Sequence, residues 1–312
     1  MGWKVKAAVH AILAKIPYGR QINHHIFQRR ISKAFSKEAM MQGYRVQIKH
    51  ILDIQSRYPL QGKSIMEIGP GWYSISGVVF WLLNSKCLHW VDVERQFKLD
   101  LLKRYATTLL ENVQEVAEDL SLSEILVEKK LIELLECETD EEYFLACNII
   151  YEAPGDAKAI KCLEGKVDLI YSYGVLEHVG WGTLEAFFAQ SKSQLSDAGR
   201  HYHNIGLHDH FHTAGLGNGV NFLKYPQWAW SIIAGNAFAF HNRKRKSDYL
   251  RLVNENNFHI YKAETELLDL NLVALDAIKV HKDFECYERE DLACSHLYLE
   301  CGLERPFTQI PE

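Results

Sequence analysis

The sequence predicts an α/β fold built on a doubly wound, mostly parallel sheet. Short apolar runs that end in polar residues alternate with longer helix-like segments along the chain. The first run lies in SIMEIGPGWYSI, residues 64–75, where it stops at an acid before a Gly-Pro-Gly turn. Alternating strands and helices imply right-handed βαβ units, and ligands of such sheets bind beyond the carboxyl ends of the strands. The residues that follow each strand are therefore the first candidates for function.

The composition is that of a globular chain with a sizeable core. The chain has 312 residues, 47% of them hydrophobic, and its net charge of −5 argues against a generic binder of polyanions. Its seven cysteines are odd in number and form no CxxC pair. This argues against a disulfide framework or a structural zinc site. The sequence also shows no apolar run of membrane-spanning length and no clear signal peptide, so we expect a cytoplasmic protein.

The N-terminal part is much more basic than the rest of the chain. Residues 1–50 contain ten Lys or Arg and one acid, Glu38, which gives a balance of +9. The remaining residues contain 25 basic and 39 acidic side chains, a balance of −14. Helices predicted at 3–16 and about 26–56 form an N-terminal cap, residues 1–60, ahead of a sheet domain at 61–312. The basic cap predicts either a solvated helical surface or weak peripheral contact with a membrane.

The order of the elements follows from the apolar pattern. Seven strands are predicted, in KSIMEIG, CLHWVDVE, CNIIYEAP, VDLIYSYG, AGRHYHNIGL, FHIYKAETE and CSHLYLECGL. Helices are predicted in SISGVVFWLLN, in TLEAFFAQSKSQLS, and in SDYLRLVNENN with Ser247 as its cap. A helical insertion at about 97–140 is expected to break near Ser121 or Ser123, either of which could cap a new helix. Residues 211–246 are too long for an ordinary connection and are interpreted as a lid.

Polar residues and glycines follow the first three predicted strands. Glycines after strand one let the backbone approach a ligand, although Ser74 stands where a dinucleotide fingerprint has its third glycine. Asp92 follows strand two, 25 residues after Glu67, and could accept hydrogen bonds from both ribose hydroxyls. Asp156 follows strand three, where a carboxylate and an exposed N–H suit the edge of adenine. Together these residues predict a nucleotide-like ligand at one edge of the sheet.

These signals, in this order, resemble the class I S-adenosylmethionine-dependent methyltransferases over about residues 61–210. The resemblance implies a seven-stranded Rossmann-like sheet whose seventh strand is antiparallel, with S-adenosylmethionine as cofactor and S-adenosylhomocysteine as product. It places Glu67 and the glycine turn at the amino acid part of the cofactor. The implied cofactor-binding residues are Glu67, Gly69, Pro70, Gly71, Trp72, Asp92, Val93, Asp156, Ala157, Ser172 and Tyr173.

The C-terminal part shows a narrower resemblance. HNIGLHDHFH, NFLKYPQWAW and HNRKRKSDYLRLVNENNF resemble a bacterial methyltransferase group often found with surface-polysaccharide biosynthesis, and IPYGRQINHHIFQRR near the N-terminus suits the same group. The resemblance implies a small-molecule or glycan-type acceptor rather than nucleic acid. This chain departs from the group at Gly206, where the group tends to have an acid.

The histidines after strand five are candidates for acid–base chemistry. A hydroxyl or amine acceptor must lose a proton, and histidine titrates near neutral pH. We favour His208 and His210 as general bases, with His178 as a further candidate. Hydrogen bonding within the fold and metal binding are the alternative roles, and no metal site is predicted. The predicted substrate-binding residues are Trp181, His203, Phe211 and Arg243.

The activity predicted from these residues is methyl transfer, with oxygen favoured over nitrogen as the acceptor atom. Arg243 would bind a phosphate or carboxylate of the acceptor, although its basic run HNRKRK could instead be a solvated face. A nicotinamide-dependent oxidoreductase and a non-catalytic S-adenosylmethionine-binding protein are the alternatives. The oligomeric state is left open.

Overall fold

A computed structural model gives the structure of the chain. It describes residues 9–10, 12–18, 22, 35–156, 166–213, 218–236 and 239–304. Most of the N-terminal cap, Ala157, and residues 214–217 and 237–238 of the segment interpreted as a lid lie outside the described residues.

The strands form a seven-stranded sheet in the order β3-β2-β1-β4-β5-β7-β6. β1 pairs in parallel with β2 and β4, β2 pairs in parallel with β3, and β7 lies between β5 and β6, antiparallel to β6. The strands are β1 Ser64–Ile68, β2 Cys87–Val91, β3 Ile149–Glu152, β4 Val167–Tyr173, β5 Leu195–Gly206, β6 His259–Leu267 and β7 Cys294–Gly302. The predicted α/β class is confirmed, and so is the existence of each predicted strand.

The register brings the carboxyl ends of four strands to the same edge. Ile68 at the end of β1 lies opposite Val91 of β2 on one side and Ser172 of β4 on the other. Val91 in turn lies opposite Glu152, the last residue of β3. The loops that follow β1, β2 and β3 therefore start side by side.

The helices fill the connections between these strands. The described α-helices are α1 Lys37–Arg57, α2 Ile75–Leu82, α3 Leu99–Leu110, α4 Val113–Leu120, α5 Glu124–Glu136, α6 Asp140–Ala146, α7 Trp181–Gln194, α8 His210–Thr213, α9 Gln227–Ala234, α10 Lys246–Glu255, α11 Asp269–Asp276 and α12 Arg289–Ala293. Short 3-10 helices cover Leu176–His178, Asn221–Lys224 and Lys282–Phe284. None of the helices in the described part of the chain has the length and hydropathy needed to span a membrane.

The helical insertion between β2 and β3 breaks where the sequence predicts. Ser121 has left-handed backbone geometry at the end of α4, and the hydroxyl of Ser123 accepts the Leu126 N–H at the start of α5. The insertion also contains a break between α3 and α4 and a further helix, α6, that the sequence analysis did not predict.

The chain divides into two compact units. Unit 1 comprises Met1–Gln28, Tyr173–Lys192 and His201–Glu312, and unit 2 comprises Arg29–Ser172 and Ser193–Arg200. The predicted boundary at residue 60 remains a prediction.

An aromatic cluster forms part of the core of unit 2. The ring of Trp90 on β2 lies 5.7 Å from Phe97, which stacks on Tyr143 at 5.2 Å with nearly parallel planes. Trp90 and Tyr143 are fully buried. Large rings bury much apolar surface in few residues, so this cluster packs α6 against β2.

Unit 1 has its own hydrophobic cluster, built mainly from the segment interpreted as a lid. Its fully buried members include Val220, Phe222 and Leu223, and Trp230 of α9 packs beside them. A lid role for residues 211–246 stays a prediction, but the described part of this segment carries a core. The predicted Ser247 cap is wrong, because α10 starts after Arg245 and the Asp248 carboxylate accepts the Arg245 N–H instead.

Arg245 is a fully buried cation that ties three segments of unit 1 together. Its guanidinium donates to the carbonyls of Leu207 at 2.6 Å, Asp291 at 2.9 Å and Cys294 at 2.9 Å. These carbonyls lie at the end of β5, in α12 and at the start of β7. A planar guanidinium can satisfy several carbonyls at once, which an ammonium group cannot do in the same geometry.

We expect Arg245→Ala to lower the free energy of unfolding by at least about 3 kcal/mol, because it leaves several buried carbonyls without donors. Arg289→Ala is the matched control, since the Arg289 side chain is 48% exposed and pairs with Asp276, which is 68% exposed. It should cost less than about 1 kcal/mol. Urea unfolding of both variants measures the difference. Equal losses of unfolding free energy would show that the hydrogen bonds donated by Arg245 stabilise the fold no more than a surface ion pair does.

Candidate functional site

The turn after β1 is held from beneath by a buried carboxylate. Glu67 is 4% exposed, and it accepts hydrogen bonds from Ser74 Oγ at 2.7 Å and from Ser76 Oγ. Ser74 also caps α2, because its Oγ accepts the Gly77 N–H at 2.7 Å. Burial raises the pKa of Glu67 to about 7, against the opposing effect of the two hydroxyls. Glu67 therefore shapes the turn that follows β1.

The glycines of this turn adopt geometry that other residues avoid. Gly69 and Gly71 have φ values of 68° and 71°. A Cβ placed on Gly71 would meet nothing within 4 Å, so the backbone here borders open space. The backbone of Gly69 also donates to Val91 O at 2.8 Å. The turn is thus fixed to β2 and leaves its upper surface accessible.

The ends of β2 and β3 are joined to this turn by hydrogen bonds. Burial raises the pKa of Asp92. Its carboxylate also accepts hydrogen bonds from the backbone N–H groups of Gly71 and Val93, which offset part of this rise. Asp92 N–H donates to Glu152 O at 3.1 Å, and Gly155 N–H donates to Asp92 O at 2.8 Å. Asp156 follows Gly155 and is exposed. Unit 2 therefore brings Gly71, Asp92 and Asp156 to one edge of the sheet.

The other predicted cofactor residues lie close to this edge in the chain. Val93 is 74% exposed, Pro70 is buried, and the Trp72 indole N–H donates to Gln96 Oε1 at 2.8 Å. Ser172 at the end of β4 is fully buried. Tyr173 is the first residue of the second chain segment of unit 1. Burial raises the pKa of its phenol to about 12. Ala157 lies outside the described residues.

A second feature, in unit 1, is a small cavity that we call the histidine pocket. Its volume is about 70 Å³. It is lined by His10, His178, Asp209, His210, Phe211, Trp230, Ala239 and His241. His178 follows β4, while His210 and Phe211 follow β5. Two of the three predicted catalytic histidines and the predicted substrate residue Phe211 thus line one cavity.

The rings in and beside the pocket lie close together. The His210 ring centroid lies 4.7 Å from that of His178, 4.6 Å from His241 and 5.1 Å from His208. His208 Nδ1 lies 3.2 Å from the carbonyl oxygen of Ser295, so we assign the proton to Nδ1 and the lone pair to Nε2. This tautomer places the ring proton of His208 on Nδ1 and the lone pair on Nε2.

His241 and Glu177 are site residues that the sequence analysis did not select. His241 is buried, which holds its pKa well below the usual range. Its Nε2 lies 3.2 Å from Gly206 O, and its Nδ1 accepts the Arg243 N–H at 3.2 Å. The Glu177 carboxylate is 3% exposed, and burial raises its pKa to about 7 despite the backbone N–H groups of Glu177 and Gly206. The sequence contained a signal for each of them. Glu177 stands next to the candidate His178 in LEHV, and His241 is the first residue of the basic run HNRKRK.

Two predicted substrate-binding residues have structural places instead. Arg243 is buried, and its guanidinium donates to Tyr225 O at 2.6 Å and Gln227 Oε1 at 2.7 Å, so it is not presented to an acceptor. His203 is fully buried, its pKa is lowered to about 3 by burial, and its Nε2 lies 3.0 Å from His201 Nδ1. Neither side chain lines the histidine pocket, and their roles in substrate binding stay predictions. Trp181 packs edge-on against Tyr249, outside the residues that line the pocket.

Comparisons with known proteins find likeness in structure only. No protein-family model matches the chain, and no curated protein matches it either.

Similar solved structures include a TehB-like S-adenosylmethionine-dependent methyltransferase from Corynebacterium glutamicum, 13% identical, with a TM-score of 0.37, covering 80% of this chain and 85% of that one. A geranyl diphosphate C-methyltransferase from Streptomyces coelicolor is 10% identical, with a TM-score of 0.46 and coverage of 86% and 85%. Magnesium protoporphyrin IX methyltransferase from Synechocystis is 12% identical, with a TM-score of 0.42 and coverage of 83% and 81%. These values are too low to carry a substrate or mechanism to this chain.

The buried Glu67 carboxylate predicts a pH-dependent stability that one substitution removes. Its pKa is about 7 in the folded chain and 4.5 in the unfolded chain, so its contribution is fully present below pH 4.5 and is lost as the pH rises through 7. Glu67→Gln stays neutral. Relative to wild type, this variant should gain about 2–3 kcal/mol of unfolding free energy between pH 5 and pH 8. Urea titrations at both pH values measure the gain.

The exposed substitution Glu128→Gln is the control for this measurement, since it changes the same chemical group on the surface of α5. The difference in unfolding free energy from wild type should change between pH 5 and pH 8 for Glu67→Gln only. If it stays constant for Glu67→Gln, as for Glu128→Gln, the carboxylate of Glu67 is not in the buried environment described above.

Proposed function

We propose that the chain is an S-adenosylmethionine-dependent methyltransferase that acts on an oxygen of a small-molecule or glycan-type acceptor, with nitrogen as the second choice. The observation that carries the proposal is the edge of unit 2. There a positive-φ glycine turn and the carboxylates of Asp92 and Asp156 follow three adjacent parallel strands. The cytoplasmic location, and weak membrane contact through the basic N-terminus, are part of the same proposal.

Each group at this edge has a place in the proposed cofactor site. The accessible backbone at Gly71 lets the amino acid part of the cofactor approach. A Cβ at this position would occupy part of that open space and hinder the approach. Asp92 already accepts backbone N–H groups, and a carboxylate has further lone pairs for two ribose hydroxyls. Exposed Val93 offers apolar surface to adenine, and Asp156 offers an acceptor to its amino group. Glu67 acts through Ser74 and Ser76 rather than by direct contact.

The reaction would be an in-line displacement at the methyl carbon of a sulfonium ion. The cofactor brings the reactive group, so the protein mainly supplies position and removes the acceptor proton. The acceptor oxygen forms a bond to the methyl carbon as the carbon–sulfur bond breaks, and S-adenosylhomocysteine leaves. His208 is the favoured base, because its Nδ1 proton is directed to Ser295 and its Nε2 keeps a lone pair.

A nicotinamide-dependent oxidoreductase is the principal alternative. The sheet argues against it, because β7 lies between β5 and β6 and runs antiparallel to β6, whereas the dinucleotide-binding order continues from strand five to strand six. The position of the missing third glycine is Ser74, whose hydroxyl is engaged with Glu67 and Gly77. A non-catalytic binding protein would keep the cofactor edge without needing the histidines.

Asp92→Ala should weaken S-adenosylmethionine binding by roughly 10- to 100-fold, because hydrogen bonds to a charged acceptor contribute about 1.5–3 kcal/mol. Isothermal titration with S-adenosylmethionine, S-adenosylhomocysteine and NADH measures this. The control is Asp197→Ala, whose side chain is 94% exposed. Unchanged affinity in Asp92→Ala would refute the assignment of the ribose acceptor, and binding of NADH alone would favour the oxidoreductase.

His208→Ala should lower kcat by about 10²- to 10⁴-fold while leaving cofactor affinity intact, since general base catalysis contributes that much. The measurement is turnover of S-adenosylmethionine to S-adenosylhomocysteine with a panel of sugar hydroxyl and phenol acceptors. His259→Ala is the control, because it removes the same kind of side chain at the start of β6, whereas His208 follows β5. Equal turnover by wild type and His208→Ala would remove His208 as the base.

A further inference from the structure

The loop after β4 and the start of α8 bring three metal-ligating side chains together. Glu177, His178 and His210 each offer one ligand atom, and these atoms all lie within 4.8 Å of one another. The sequence analysis predicted no metal site, and α7 and β5 separate the adjacent Glu177 and His178 from His210 in the chain. The three side chains belong to unit 1, and two of them, His178 and His210, line the histidine pocket.

Glu177 supplies a buried oxygen that lacks a partner. Its Oε2 has no hydrogen-bond partner among the residues that the structure describes. Its Oε1 lies 4.0 Å from His210 Nε2. A buried carboxylate with an unsatisfied oxygen is costly, and a bound cation is one of the few groups that can compensate for it. The position of Glu177 is therefore explained if a cation binds beside it.

His178 is oriented as a metal ligand would be. Its Nδ1 donates to the carbonyl oxygen of Phe240 at 2.7 Å, which leaves the lone pair on Nε2. Histidines that bind metals usually donate their other ring N–H to a carbonyl or carboxylate in this way. His178 is also exposed, so an ion can reach it from solvent. His241 is excluded as a ligand, because both of its ring nitrogens are already engaged.

Gly206 leaves room for the carboxylate and the imidazole to face each other. A Cβ at this position would lie 2.7 Å from Glu177 Oε1 and 3.3 Å from His210 Nε2. No side chain can be added there without moving Glu177 or His210. The glycine therefore lets Glu177 Oε1 and His210 Nε2 lie 4.0 Å apart.

We propose that Glu177, His178 and His210 bind one divalent transition-metal ion of the Zn²⁺ class. Two imidazole nitrogens and one carboxylate oxygen suit Zn²⁺, whereas Mg²⁺ prefers oxygen ligands alone. Metal–ligand bonds of about 2.0–2.2 Å require the three ligand atoms to move closer to one another when an ion binds. Three protein ligands leave a coordination position open.

The open position has a use only if the proposed function is correct. An acceptor hydroxyl bound to the metal ion would lose its proton more readily, and His208 or solvent would take the proton. Metal binding itself does not depend on methyl transfer. The two proposals can therefore fail separately.

The test is calorimetric titration of EDTA-dialysed protein with Zn²⁺ and with Mg²⁺, together with the visible absorption of the Co²⁺-substituted protein. Wild type should bind one equivalent of Zn²⁺ and bind Mg²⁺ at least 100-fold more weakly. His178→Ala and His210→Ala should each weaken Zn²⁺ binding at least 100-fold, whereas His259→Ala should bind as wild type. Circular dichroism checks that each variant is folded.

Gly206→Ala provides an independent arm, since it removes no ligand. It should weaken Zn²⁺ binding at least tenfold without changing S-adenosylmethionine affinity. The proposal is overturned if wild type binds less than half an equivalent, if His178→Ala and His210→Ala bind Zn²⁺ as tightly as wild type, or if Mg²⁺ binds as tightly as Zn²⁺. Failure of S-adenosylmethionine binding alone would overturn the proposed function and leave the metal site standing.

Discussion

The hydrogen bonds between the Glu67 carboxylate and the hydroxyls of Ser74 and Ser76 are the interaction on which the proposed cofactor site depends. They connect the end of β1 to the start of α2, so the glycines between them have little freedom to rearrange. The same Ser74 hydroxyl caps α2 at Gly77. Because Glu67 fixes the turn from the sheet side, the backbone of the glycines can face a ligand on the opposite side without support from side chains of their own. The Asp92 carboxylate, which also holds Gly71, then belongs to the same rigid edge.

A comparison of the two buried glutamates separates a structural role from a functional one. Burial raises the pKa of both Glu67 and Glu177 to about 7. Glu67 receives hydroxyl donors from its own turn, so its burial is compensated within the fold. In the described residues Glu177 has only backbone donors, and its Oε2 has none. A perturbed pKa alone therefore does not identify a site. The unsatisfied oxygen, next to His178 and His210, is the feature that points to a ligand.

The strands were predictable from the sequence, while the helices of the insertion were predictable only in part. Apolar runs that stop at a polar residue identify buried parallel strands, and Ser123 marks the start of α5 as a cap should. Helix α6 also had a signal, since Thr139 caps it at Glu142. The break between α3 and α4 has a weaker signal, because Asn112 is a common N-cap residue type but its side chain makes no capping hydrogen bond, and no glycine or proline lies there. Packing sets that break, and packing has no local signature.

The buried arginines show why the histidine pocket was harder to predict than the cofactor edge. A run such as HNRKRK is typical of a solvated face, yet Arg243 and Arg245 donate inward to carbonyls 18 to 49 residues away in the chain. Backbone carbonyls are the same in every residue, so the sequence does not show which of them need a donor. Glu177 is the converse case, because its missing donor is equally invisible in the sequence. Gly206 connects the two cases. It lets Glu177 approach His210, because a Cβ at this position would lie 2.7 Å from Glu177 Oε1 and 3.3 Å from His210 Nε2. Any side chain there would displace one of the two residues, so the geometry proposed for the metal ion depends on this glycine.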